Sequence, residues 1–78
     1  MVMFLTTARA SVHFDKLPDE AVSEIGSFYK LTGSRSEIVN KLRERMQQST
    51  YAELDPMFIA IKDAAHKHGA DDAVTLYD

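Results

Sequence analysis

The stretch Gly33-Ser34-Arg35-Ser36-Glu37-Ile38-Val39 constrains this chain more than any other, because it marks the end of one helix and the start of the next. Gly33 can adopt the left-handed conformation that closes a helix, and Ser34 with Glu37 three residues on has the spacing of a capping box. Two helices are therefore expected to meet here. The first-turn N–H groups at Arg35, Ser36 and Glu37 have no partners within a helix, which makes the corner a candidate anion site with Arg35 beside it.

Upstream, the even positions read Val2, Phe4, Thr6, Ala8, Ala10, Val12 and Phe14, while the odd ones from Thr7 onward read Thr7, Arg9, Ser11 and His13. This period of two predicts a strand over residues 8–14, extended back through 2–7, with one buried and one wet face. A single strand cannot satisfy its own backbone, so it must pair either with a second chain or with the segment Ala73 to Tyr77. Pro18 suits the first position of a helix, and Asp19 and Glu20 follow where the helix dipole favours acids. Ala21, Val22, Ile25, Phe28 and Tyr29 recur at helical spacing and predict a helix from Pro18 to Leu31, with Gly26 as a weak point inside it.

Past the corner, Ile38, Val39, Leu42 and Met46 form the stripe of a second helix ending near Gln47, with Lys41, Arg43 and Arg45 mostly off that stripe. Thr50 to Glu53 has capping-box spacing, but Asp55-Pro56 is the stronger start signal for a third helix. That helix carries Met57, Phe58, Ile61, Ala64 and Ala65, ends in His66-Lys67-His68, and stops at Gly69. The stretch from Ala73 to Asp78 reads as a short edge strand or an acidic tail.

A chain of this length buries only about 60% of its unfolded surface, so oligomerisation is an expected source of further core. It has no cysteine to staple it. The apolar start Met1 to Leu5 lacks a basic leader and is too short to span a bilayer, so no signal peptide or membrane anchor is expected, and the protein is expected to be soluble and cytoplasmic. The net charge is −3, with seven Lys/Arg against six Asp/Glu in residues 1–50 and two against six in 51–78. The front half is thus the one able to approach a polyanion, and the back half is repelled by one.

The order of these elements is specific: a strand, Leu17-Pro18 opening a helix, a glycine, Ser34-Arg35-Ser36-Glu37-Ile38-Val39 opening a second helix, then Leu42-Arg43-Glu44-Arg45. It resembles the ribbon-helix-helix family of dimeric DNA-binding transcriptional regulators over roughly residues 8–47. The resemblance implies an α+β, mostly helical fold in which two chains pair their strands into an antiparallel ribbon and interlock their helices as a homodimer. It divides the chain into a DNA-binding and dimerisation region over 1–49 and an additional C-terminal helix and acidic tail over 50–78. By position it implies that Arg9, Ser11 and His13 read base edges in the major groove of double-stranded DNA, and that Ser34, Arg35 and Ser36 clamp phosphates. The implied role is a sequence-specific regulator of repressor or antitoxin type. Within it, Met57, Phe58 and Ile61 are either a partner-binding surface, as in an antitoxin of this family, or a core extension.

A different class is also open: a small acidic protein-binding module or inhibitor without DNA affinity, such as a phage or plasmid accessory protein. In it, residues 2–14 and 73–77 pair within one chain around three helices. No paired carboxylates, nucleophile–base set or glycine-rich phosphate loop is identifiable, so no enzyme and no cofactor is expected. His66 and His68, two residues apart, do not share a helix face and His13 is remote, so no metal site is expected. Met46 and Met57 read as core filler, and Asp71-Asp72 as an acidic loop.

Overall fold

The computed structural model describes residues 4–6 and 10–76. Strands β1 (Phe4–Thr6) and β2 (Ala10–His13) are followed by a 3-10 turn (Phe14–Lys16) and by helices α1 (Asp19–Phe28), α2 (Arg35–Gln47) and α3 (Tyr51–Lys67). A second 3-10 turn (Asp71–Ala73) leads into β3 (Val74–Leu76). The fold is α+β and mostly helical, as expected.

The sheet is antiparallel throughout, in the order β1-β2-β3. Leu5 lies opposite Val12 on one side, and Val74 lies opposite Val12 on the other. Within the described residues the strand expected over 8–14 is Ala10–His13, Phe14 passing into the 3-10 turn, and Phe4–Thr6, expected as its extension, is a separate partner strand; residues 8 and 9 lie outside the described residues. Period two reports which residues share a face but carries no information on where a run folds back. The end of the chain takes the other edge of β2, so both edges of the central strand are occupied within one chain.

Behind the sheet, one core joins every element after β1. Val12 and Phe14, Val22 and Ile25 of α1, Leu42 and Met46 of α2, Phe58 and Ile61 of α3, and Val74 of β3 are all fully buried. Residues 50–76 thus complete the same core as residues 10–49. Met57, Phe58 and Ile61 are 4%, 1% and 0% exposed, so the core-extension alternative describes them and they offer no exposed surface to a partner.

The helix ends follow local chemistry, with two departures from the sequence reading. α1 closes in a Schellman motif: Leu31 N–H donates to Gly26 O at 2.7 Å and Lys30 N–H to Ser27 O at 3.1 Å. Lys30 holds the left-handed position (φ 59°), in place of Gly33. Gly33 has a positive φ too (118°), but it lies in the connection to α2. The capping box of α2 is formed as expected: Glu37 N–H donates to Ser34 Oγ at 3.3 Å, and Ser34 N–H to Glu37 Oε1 at 3.2 Å. The second departure is at α3, which begins after Thr50 and runs straight through Asp55-Pro56. Burial of Leu54 rewards the extra turn. Pro56 withholds the N–H that would reach Ala52 and crowds its carbonyl, and the exposed position of Ala52 lets water serve that oxygen instead. α3 ends at Gly69 as expected, in a second Schellman motif with Ala70 N–H on Ala65 O at 2.7 Å.

Candidate functional site

Two of the three residues expected to read base edges, Ser11 and His13, fall within the described residues. Arg9 lies outside the described residues. Ser11 is 7% exposed and paired in register with Thr6 and Thr75, so the expected wet face is covered at this position. His13 is half-buried at the end of β2, opposite Phe4.

At the start of α2, Arg35 makes a structural cross-link. Its Nη1 donates to Asp19 Oδ1 at 2.9 Å and its Nη2 to the Phe14 carbonyl oxygen at 2.7 Å. One guanidinium thereby ties the start of α2 to the start of α1 and to the turn after β2. The Ser34 hydroxyl is committed to the capping box, which also holds the Glu37 carboxyl below its ordinary pKa, chiefly through the Ser34 N–H. Ser36 is exposed. Two of the three phosphate-clamp residues thus have intrachain partners.

The surface with binding character lies elsewhere, between α1 and α3. Phe28 is 70% exposed and Ile59 54% exposed. They flank an open groove of about 780 Å³ whose apolar lining also includes Pro56 and Ala60. A cleft of that size matches the range of roughly 300–1,000 Å³ typical of binding pockets. On α3 its residues recur as Pro56, Ile59 and Ala60, Asp63, and Lys67, one face at helical spacing. The opposite face of α3 belongs to the core. Glu24 closes one end, accepting from Lys67 Nζ at 2.9 Å and lying 3.5 Å from His68 Nε2. This lowers the Glu24 pKa, mainly through the Lys67 bond.

The Phe28 ring meets Tyr29 edge to face, with centroids 4.9 Å apart at 76°. Tyr29 in turn lies under the Arg45 guanidinium, 4.9 Å from its ring centroid, and burial pushes its phenol above the ordinary pKa against the opposing charge of Arg45. An exposed apolar ring is therefore braced from α2.

Helical spacing assigns Phe28 to the buried stripe of α1, which its exposure corrects, and Ile59 stands outside the apolar stripe of α3. The available signal was Ile59 itself, a large apolar residue off the core stripe of α3 with Pro56 and Ala60 beside it. Among the described residues no group of three or more His, Asp or Glu side chains could hold a metal ion. His66 pairs with Asp71 at 2.6 Å and His68 with Glu24. No described helix is long and apolar enough to cross a membrane. Comparison with known proteins returns no matching family model, no matching curated protein and no matching solved structure.

Proposed function

We propose that this chain is a small acidic protein-binding module without catalytic activity, and that the α1–α3 groove is its contact surface. The observation that carries the reading is the pair Phe28 and Ile59, large apolar side chains left exposed on either side of an apolar cleft. Such residues expose surface that a partner would remove from water, at about 25 cal/mol per Å² of apolar area.

The alternative implied by the ribbon-helix-helix resemblance, a dimeric regulator reading DNA through a shared strand pair, draws less support. It needs an open edge on β2, and β1 and β3 occupy both. It also needs Arg35 for phosphate, and Asp19 and Phe14 already engage that side chain.

Site-specific photocrosslinking in the native host tests the proposal. A benzophenone-bearing residue is placed at position 59 and, as a control, at exposed position 36. A discrete adduct with another polypeptide from position 59 and none from position 36 is expected. Equal crosslinking at both positions counts against the groove. Selection from a random duplex DNA pool at low salt runs alongside, and a recovered sequence whose affinity falls steeply with salt would replace this reading with the DNA-binding one.

A further inference from the structure

Resting on that reading, we infer that the occupant of the groove is an amphipathic helix of the partner, about three turns long, with a Lys or Arg beside its apolar stripe.

Backbone chemistry decides between a helical and an extended occupant. Both walls of the groove are helices, whose N–H and C=O groups bond within their own turns. An extended segment laid here would find no ladder partners for its own backbone, and each buried unpaired group costs free energy. A helix brings its backbone already satisfied and needs only side-chain contacts. From Pro56 to Lys67 the groove follows twelve residues of α3, whose eleven steps of 1.5 Å make about 17 Å, which matches three turns of a third helix.

Charge selects the flank of that helix. Lys67, the cation of the groove, is neutralised by Glu24 at 2.9 Å. Asp63, on the same face of α3 one turn earlier, is exposed and has no ion-pair partner among the described residues. The groove therefore carries one uncompensated negative charge in a chain of net charge −3. A partner with Lys or Arg at that level gains complementarity, and one with Asp or Glu is repelled. Phe28, Pro56 and Ile59 at the other end receive the apolar side chains.

The test is selection of a random 14-residue peptide library displayed on phage against the full chain, with counterselection against Ile59→Asp. Circular dichroism and melting confirm that Ile59→Asp and Asp63→Lys retain the fold, as expected for exposed positions. The expected winners carry apolar residues at i, i+3 or i+4, and i+7 with excess Lys and Arg, and gain helical signal on binding. Asp63→Lys should weaken them at least tenfold, and replacing the peptide's critical basic residue with Glu should restore affinity for that variant. Winners that bind through Ile59 but stay extended, or that are indifferent to Asp63→Lys, overturn this inference while leaving the protein-binding reading in place. Winners unaffected by Ile59→Asp, or no winners at all, overturn both. Sedimentation of the unmodified chain covers the remaining occupant: a dimer abolished by Ile59→Asp would assign the groove to a second copy and overturn the inference.

Discussion

Within one turn at the end of α1, two backbone positions have the wrong residue type by local propensity, and their surroundings give opposite outcomes on exchange. Gly26 lies inside a helix, where glycine costs about 1 kcal/mol relative to alanine. A Cβ there would stand 3.1 Å from Ile38 Cγ2, 3.2 Å from Ile38 Cδ1 and 3.3 Å from the Leu31 carbonyl oxygen. The close approach of α2 and of the Schellman turn leaves little room for a side chain at this position. Overpacking of this kind costs about 1–3 kcal/mol, so Gly26→Ala should lose about 1 kcal/mol net in urea denaturation. Lys30 is the converse case, a side-chain-bearing residue at φ 59° where the left-handed conformation costs about 1–2 kcal/mol. Lys30→Gly should raise stability by about 0.5–1 kcal/mol after the entropic penalty of glycine, measured the same way. Both positions were half legible. A sequence shows a glycine inside a helical stripe, but the neighbour that crowds it, Ile38, is twelve residues away along the chain and is brought close only by the packing of α2 on α1. Nor does lysine announce a left-handed turn, which is why Gly33 looked like the stop.

Among the elements, the helices were legible where side chains cap or bury their own turns, and illegible where a distant contact overrides a local signal. The Ser34–Glu37 box and the Gly69 stop are local, and both formed where their spacing places them. The Asp55-Pro56 start signal yielded to Leu54, whose burial against the core keeps the helix going back to Tyr51. The groove was harder still, since an exposed Phe28 and a buried Ile25 fit the same stripe until α3 is in place. The ion pair that fastens α1 to the end of α3 supports a prediction of its own. Glu24 has a lowered pKa, mainly because Lys67 donates to it, so its contribution to stability is present above the ordinary carboxylate value of 4.5 and is lost as pH falls through the depressed value. Glu24→Gln removes that linkage. Thermal melts from pH 6 downward should show the unmodified chain losing its margin over Glu24→Gln below about the ordinary carboxylate pKa, with the two converging in strong acid. Parallel curves across the whole range would show that the pair contributes nothing measurable, as many exposed pairs do.

For the molecule as a whole, the decisive quantity is how much of a small core comes from the last third of the chain. Alternation in the N-terminal residues demanded a strand partner, but pattern alone is silent on whether that partner belongs to the same chain. The answer, β3 on one edge of β2 and β1 on the other, places residues 74–76 in the sheet beside β2 within one chain. Removing everything after Thr50 strips β2 of the bonds to Val74–Leu76 and takes Leu54, Phe58, Ile61 and Ala65 from the core. Phe14, Ile25 and Leu42, buried in the complete chain, lose part of their shared packing. Each large buried side chain contributes about 1.5–3 kcal/mol, and a domain of this size has a margin of roughly 0.05–0.15 kcal/mol per residue. Losing three such side chains, Leu54, Phe58 and Ile61, outweighs the lower part of that margin even before the strand is counted. The 1–50 fragment should therefore be unfolded alone, with little helical circular dichroism and a narrow amide proton spectrum. A folded, dispersed fragment would instead require the freed edge of β2 to find another strand, which at high concentration could only be a second copy of itself. Sedimentation of that fragment would then report a dimer, and the shared strand pair implied by the ribbon-helix-helix resemblance would exist in the shortened chain, with α3 and β3 as the elements that prevent it in the full one.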